Sequence, residues 1–335
     1  SMKILSILGA RPQFIKASAI SREITKRKNI QEKILHTGQH FDANMSKIFF
    51  DQMQIPKPDW NLEISNLNHG AMTGRMIEEI ENILLEERPD WVLLYGDTNS
   101  TISGALSAKK LHLKIAHVEA GLRSYNMKMP EEINRILTDR ISDILFCPTK
   151  GAADNLKLEG FKNFDCQIVN CGDVMYDNAL YFRKYSKTPN FSKPQKFILT
   201  TIHRAENTDD SQKLASIFRA FDKIAREIPI VLPLHPRTKQ KLNELKINIS
   251  NSNFIIVNPV GYLEMVNLLE HCSLVMTDSG GLQKEAFFFK KHCVTLREET
   301  EWTELVDNGF NIIAGNIETN IYDAYKKMIN KNSNF

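Results

Sequence analysis

The residues able to do chemistry stand at the ends of short apolar runs. The first run ends in Gly9-Ala10-Arg11-Pro12-Gln13-Phe14-Ile15-Lys16. Gly9 permits a tight strand-to-helix turn, and Pro12 suits a first helical turn. A helix opening there offers backbone N–H groups and the positive end of its dipole, and Arg11 and Lys16 add charge. Together they describe an anion site fit for a diphosphate; a plain turn with surface cations is the simpler alternative. A later run ends in Gly96-Asp97-Thr98-Asn99-Ser100-Thr101, where Asp97 is either an N-cap or a working carboxylate. The next ends in His117-Val118-Glu119. Strand alternation predicts His117 and Glu119 on one face, as a structural ion network or as acids and bases with shifted pKa values. Glu131 falls in the first turn of a helix opened by Pro130, where a carboxylate suits the dipole.

The second half repeats the arrangement. His203, after Thr201-Ile202, is a possible general acid or base because its side chain titrates near neutrality. Ser279 with Gly280 and Gly281 opens a helix that brings bare backbone N–H groups to a phosphate. Glu285 lies about one and a half turns further on, within reach of a ribose diol. Arg297 sits in the last such element, Leu296-Arg297-Glu298-Glu299. No G-x-G-x-x-G fingerprint and no Walker lysine motif occurs. Each piece alone is weak; their joint occurrence at successive strand ends carries the weight.

These residues need a scaffold of alternating strands and helices. Residues 4–8, 33–36, 91–95, 114–118 and 144–147 read as buried strands, with helices over 14–28, 43–53, 70–87 and 101–111. The alternation restarts with strands at 197–202, 230–234, 254–257, 274–277 and 293–296, and helices over 211–227 and 262–271. Residues 181–194, with two prolines and several lysines, read as the link. The order predicts an α/β protein of two Rossmann-like, doubly wound domains, 1–172 and 173–335. Such domains bind ligands at the carboxyl ends of their strands.

The 335 residues fit two domains, and a net charge of +3 is too mild to argue for nucleic acid. Five cysteines without a C-x-x-C pair argue against a disulfide framework or a zinc site, and for free thiols in a reducing compartment. No secretory leader is visible, and no apolar run approaches the ~20 residues of a membrane helix. A cytoplasmic location is expected.

The motifs closely resemble those of the non-hydrolysing UDP-N-acetylglucosamine 2-epimerases. The resemblance rests, in order, on Gly9 to Lys16, Gly96 to Thr101, His117-Val118-Glu119-Ala120-Gly121-Leu122-Arg123, Pro130-Glu131-Glu132-Ile133-Asn134-Arg135, His203-Arg204-Ala205-Glu206 and Thr277 to Ala286. It covers nearly the whole chain. It implies a glycosyltransferase-B type fold, two domains around a cleft, with UDP held mainly by the second. It implies Asp97, Glu119, Glu131 and His203 as catalytic groups, and Arg11, Lys16, Arg135, Ser279, Gly280, Gly281, Glu285 and Arg297 as nucleotide contacts. The implied reaction eliminates UDP across C1–C2 to give a bound 2-acetamidoglucal, then adds it back after protonation of the other face. That needs an acid and a base on opposite faces of C2 and cations on the departing diphosphate, with no cofactor and no metal. A homodimer and a role in supplying surface-polysaccharide precursors are further implications.

Three departures from the family pattern stand out. Thr300-Glu301-Trp302-Thr303-Glu304 replaces a usual Thr-Glu-Arg-Pro-Glu, Gln13 stands where Glu is usual, and the sequence after Gln39-His40 differs. These resemble the branch acting on UDP-2,3-diacetamido-2,3-dideoxyglucuronate. Gln39 and His40 fall where some members bind a second, activating substrate molecule, so the change argues against such activation. The sequence also ends at Phe335 without the family's usual final crossover helix. A hydrolysing relative, a glycosyltransferase of the same fold and a binding protein without turnover are the rival readings.

Overall fold

Strands that are apolar on both faces belong inside a parallel sheet covered by helices on each side, and this is what the chain builds. The computed structural model describes residues 1–39 and 47–335. The chain divides into two compact units, Ser1–Asn178 and Ala179–Phe335.

The first unit runs β1 (Met2–Leu8), α1 (Arg11–Thr25), β2 (Ile30–His36), α2 (Lys47–Met53), β3 (Trp60–Asn61), α3 (His69–Glu87), β4 (Trp91–Tyr95), α4 (Asn99–Lys110), β5 (Lys114–Val118), α5 (Pro130–Ile141), β6 (Ile144–Cys147), α6 (Lys150–Leu158), β7 (Gln167–Asn170) and α7 (Val174–Arg183). Its strands pair in parallel in the order β3-β2-β1-β4-β5-β6-β7. The direction of winding reverses between β1 and β4, the switch point where such sheets bind ligands. Leu5, Ile7, Leu35, Val92, Leu94 and Ile115 point from the strands to one face and meet Met76, Ile80 and Leu84 of α3.

The second unit runs β8 (Ile198–Thr201), α8 (Ala205–Thr208), α9 (Ser211–Ala225), β9 (Ile230–Pro233), α10 (Pro236–Glu244), β10 (Phe254–Val257), α11 (Tyr262–His271), β11 (Leu274–Thr277), α12 (Gly280–Phe288), β12 (Cys293–Thr295), α13 (Thr303–Asp307), β13 (Asn311–Ile313) and α14 (Glu318–Met328). Its parallel order is β10-β9-β8-β11-β12-β13, reversing between β8 and β11. Helix α9 shows how sequence sets this packing. Asp210 caps it by accepting from the Gln212 and Lys213 N–H groups, and Leu214, Ile217, Phe218, Phe221 and Ile224 recur at helical spacing on its buried face.

Two expectations change in detail. The units part at 178/179 instead of 172/173, because the chain enters α7 before leaving the first unit. Asn178 Nδ2 donates to the Ile15 carbonyl at 2.7 Å, and its Oδ1 accepts from Ser18 Oγ at 2.9 Å. Residues 181–183 of the expected link are the last turn of α7, and by 179 the chain already belongs to the second unit. Short strands β3, β7 and β13 carry too few apolar residues to be read from pattern. Of the helix expected over 43–53, the part from Lys47 is observed; His40 and the other residues of 40–46 lie outside the described residues.

Gly9 is fixed by close approach. A Cβ there would overlap Ser100 Oγ and come within 2.8 Å of Thr37 Oγ1, both side chains in the hydrogen-bonded junction of β1 and α4. Gly9→Ala should therefore destabilise the first unit by about 1–3 kcal/mol, the cost of overpacking. A thermal melt reads this directly; an unchanged midpoint would mean that the α4 terminus gives way freely.

Candidate active site

At the first switch point the chain turns sharply from β1 into α1, whose N-terminus carries Arg11 and Pro12. Gln13 ties the junction together. Its Oε1 accepts from the Gly9 N–H at 2.6 Å, and its Nε2 donates to the Tyr95 carbonyl at 2.8 Å and Thr98 Oγ1 at 3.0 Å. The amide accepts at one end and donates at the other, a pattern that an ionised carboxylate, which only accepts, would not complete. Thr98 and Thr101 form a reciprocal capping box that starts α4. Gln39 reaches the same terminus, its Oε1 accepting from Ser100 N at 2.9 Å and Ser100 Oγ at 2.8 Å.

Two carboxylates emerge here, each beside a cation. Asp97 Oδ2 lies 2.9 Å from Arg135 Nη2 and accepts from Arg135 Nε at 3.1 Å. Arg135 is held from its other side by Glu132, at 2.9 Å from Nη1. Glu132 is buried and also accepts from the Ser124 and Tyr125 N–H groups at 3.0 and 2.7 Å. Glu119 Oε1 pairs with Lys16 Nζ at 3.0 Å. Burial pushes the Lys16 ammonium pKa down, but Glu119 and then Asp97 outweigh it and hold it above the ordinary lysine value. Lys16 is thus a firm cation between two carboxylates. Glu131 occupies the first turn of α5, half-buried.

Glu119 does not share a face with His117 as alternation predicts. Strand β5 ends at Val118, and Glu119 takes φ 70°, a left-handed conformation that side chains rarely adopt. Such strain gathers at working sites. His117 turns instead into a buried ion network. Its Nδ1 lies 2.6 Å from Asp139 Oδ1, and its Nε2 donates to the Gly96 carbonyl at 2.7 Å. Asp139 Oδ2 also accepts from Gly121 N at 2.9 Å and Arg123 Nη1 at 2.8 Å. Burial pushes the His117 pKa down, but Asp139 overcomes it and leaves the pKa raised; the Asp139 carboxyl, in turn, is held below its ordinary value by His117 and Arg123 against its own burial. His117 is therefore the structural alternative: it holds the Gly96–Asp97 turn from beneath.

In the second unit, β8 and β11 deliver two turns. Buried Asp278 accepts from the backbone N–H groups of His203 at 3.1 Å and Arg204 at 2.9 Å, and from Asn207 Nδ2 at 3.2 Å. Burial pushes its pKa up, but the His203 side chain, and after it the Arg204 N–H and Asn207, hold it below the carboxylate norm. Its Oδ1 lies 3.0 Å from His203 Nδ1, and the His203 side chain is 60% exposed. The carboxylate thus fixes the ring and turns Nε2 outward, the arrangement of an oriented acid–base histidine.

Ser279 caps α12 by accepting from Leu282 N at 3.2 Å. An added Cβ at Gly280 would overlap Glu301 Oε1, so any larger residue there would displace the Glu301 carboxylate. Trp302 Nε1 donates to the Gly280 carbonyl at 2.8 Å, and Lys284 Nζ stands 4.9 Å over the Trp302 ring. Arg297 is buried, its Nη2 2.9 Å from Glu301 Oε2. Gly281 and Glu285 are half-buried on α12, and the Tyr262 hydroxyl hydrogen-bonds with Glu285, which together with burial raises the phenol pKa. Glu206 in α8 is raised above the usual carboxylate value by burial, in part offset by Arg297.

In the first unit Asp97 meets Arg135 and Glu119 meets Lys16, with Gln39 on the α4 terminus and Arg11 and Glu131 in the first turns of α1 and α5; in the second, His203 stands on Asp278, Ser279, Gly280, Gly281 and Glu285 lie along the start of α12, and Arg297 pairs with Glu301. Glu132, Asp139 and Asp278 were not singled out from sequence. Asp278 and Glu132 adjoin selected residues and were within reach. Asp139 joins His117 from another element, with no local spacing to reveal it. Among the described residues, no group of three or more His, Cys, Asp or Glu is placed to hold a metal, and no helix is long and apolar enough to cross a membrane. All five cysteines are free thiols; burial pushes those of Cys147, Cys272 and Cys293 up to about 12.

Two Rossmann-like units, each with a helix terminus fit for an anion and ionisable side chains at the strand ends, define an α/β protein of the nucleotide-binding class. The chain belongs to the UDP-N-acetylglucosamine 2-epimerase family, whose sequence model matches residues 22–335. It is 56% identical over 332 residues to a Pseudomonas aeruginosa UDP-2,3-diacetamido-2,3-dideoxy-D-glucuronate 2-epimerase, covering 98% of this chain and 93% of that one. It is 43% identical to a Methanocaldococcus jannaschii UDP-N-acetylglucosamine 2-epimerase, over 100% of this chain and 94% of the relative. The M. jannaschii enzyme solved with UDP-GlcNAc and UDP superposes with a TM-score of 0.93 over 99% of this chain and 94% of its own. An S. aureus protein solved with UDP, 31% identical, gives 0.87 over 99% and 89%.

Proposed function

We propose that this epimerase inverts C2 of UDP-N-acetylglucosamine, reversibly giving UDP-N-acetylmannosamine. The observation that carries the reading is the pair of carboxylates at one switch point, Asp97 against Arg135 and Glu119 against Lys16. A base removes the C2 proton while the C1–O bond to UDP breaks, giving 2-acetamidoglucal and UDP. Protonation of the opposite face of C2 and return of UDP to C1 complete the inversion. Asp97, Glu119, Glu131 and His203 supply the proton transfers. Arg11, Lys16, Arg135 and Arg297, with the α1 and α12 termini carrying Ser279, Gly280 and Gly281, hold the diphosphate; Glu285 takes the ribose, exchanging its Tyr262 partner for the diol.

A second reading applies the same chemistry to UDP-2,3-diacetamido-2,3-dideoxyglucuronate. The 56% identity to an epimerase of that name and the Trp302 departure favour it. We further propose a cytoplasmic homodimer that supplies a surface-polysaccharide precursor, without a second activating substrate site at Gln39. Incubating the enzyme with each sugar nucleotide and separating the products by anion exchange tests the reading. A manno-configured UDP-sugar at equilibrium with its substrate is expected, and the faster substrate decides between the two. Free sugar with UDP would replace the reading with that of a hydrolysing relative.

A further inference from the structure

A chain of side-chain amides runs from the Asp97 peptide to His69 at the N-terminus of α3, and its donor–acceptor logic has one solution. The Asp97 carbonyl can only accept, so Asn134 presents its Nδ2 to it, at 3.0 Å. The same nitrogen faces Asn99 Oδ1 at 3.4 Å. Asn99 is thereby oriented with Oδ1 toward α5 and Nδ2 toward α3. That Nδ2 lies 2.9 Å from His69 Nδ1 and 3.6 Å from Met72 Sδ. An amide nitrogen only donates, so His69 Nδ1 is the bare nitrogen and Nε2 carries the proton. Asn99 and Asn134 are 6% and 8% exposed, so neither amide has ready recourse to water, whereas His69 is exposed. Asn134 also adjoins Arg135, the partner of the Asp97 carboxylate. The peptide of Asp97 is thus held from α5, and its carboxylate from the next residue of the same helix.

We infer that His69 is a positioning residue for Asp97: as an acceptor at Nδ1 it fixes the amide of Asn99, and through Asn134 the turn that carries the catalytic carboxylate. The inference rests on the reading of Asp97 as a catalytic group. What matters at position 69 is an acceptor facing Asn99, not a positive charge and not bulk. A donor-only side chain there would confront the Asn99 amide nitrogen and force it to turn over, setting Asn99 Nδ2 against Asn134 Nδ2.

The test compares His69→Ala, His69→Gln and His69→Lys in the full chain. Ala and Lys should lower kcat about three- to tenfold, the worth of one hydrogen bond, with KM little changed. Gln, whose Oε1 can accept from Asn99, should restore kcat to near the wild-type value. Long-range ¹⁵N–¹H spectra of the wild type should show the Nε2–H tautomer of His69, and Asn99→Ala should release it into a mixture. Loss confined to KM, a Gln variant as poor as Lys, three unaffected variants or an Nδ1–H tautomer would each overturn the inference. The wild-type C2 exchange rate separates the two levels. Its absence overturns the functional reading and this one with it, whereas normal exchange with any of those results overturns this one alone.

Discussion

Glu119→Gln should lower kcat for C2 inversion by about 10²- to 10⁴-fold, the usual worth of a positioned acid or base. The substitution keeps the shape of the side chain and leaves an oxygen to accept from Lys16 Nζ, now 3.0 Å from Glu119 Oε1. The chain should therefore fold as before. The charge is what changes. Glu119 is the largest of the carboxylate influences that hold the Lys16 pKa up against burial, ahead of Asp97 and Asp173, so its removal moves that pKa down. One substitution thus takes away the proposed proton acceptor and weakens a cation of the proposed diphosphate site, and KM should rise as kcat falls. The strained backbone of Glu119, at φ 70°, points the same way: a glycine would sit there more comfortably, yet the chain carries a carboxylate. Initial rates of the purified variant, beside its circular dichroism, check the prediction. A folded variant within threefold of wild type would place the proton transfer elsewhere.

Asp139→Ala carries the largest expected cost in stability. It would leave the guanidinium of Arg123, 1% exposed, and the buried imidazolium of His117 without their shared carboxylate. Removing one member of a buried ion group costs about 3–5 kcal/mol, a large share of the 5–15 kcal/mol typical of a domain. Arg123 keeps Glu159, at 2.9 Å from Nε, so His117 suffers most. The same network sets a pH window. His117 has a folded pKa raised above its ordinary 6.5, so its contribution is full below that value and is lost as pH rises through the folded pKa. Asp139 has a folded pKa below its ordinary 3.8, so its contribution is full above that value and is lost as pH falls through the folded pKa. Wild-type stability from this network should therefore plateau between roughly pH 4 and 6.5 and decline on the alkaline side. Denaturant melts of the first unit across pH read this, and the alkaline decline should vanish in His117→Phe.

The sequence made the architecture legible because parallel strands covered on both faces leave continuous apolar runs, and because each strand end carries its own turn chemistry. Residues 91–95, 114–118 and 262–271 lie in the expected elements to the residue. The candidate residues were legible for the same reason: Asp97, Glu119, His203 and Ser279 all fall within two residues of a strand end. What stayed hidden depends on contacts between elements. Nothing near His117 announces Asp139, twenty-two residues on and in another element. Alternation failed at Glu119 because the strand stops one residue earlier and the backbone turns left-handed. Gln39 and Gln13 read as site residues or variants, yet their side chains serve the α4 terminus, a role that only the packed junction of β1 and β4 reveals.

The central claim is proton exchange at C2 without loss of UDP from the product. Proton NMR in D₂O, with UDP-N-acetylglucosamine and its diacetamidoglucuronate counterpart as substrates, follows that position directly. Deuterium at C2 of both the gluco- and manno-configured UDP-sugars, absent in Glu119→Gln, is the predicted result. Binding of both sugar nucleotides with no deuterium at C2 of either would contradict it.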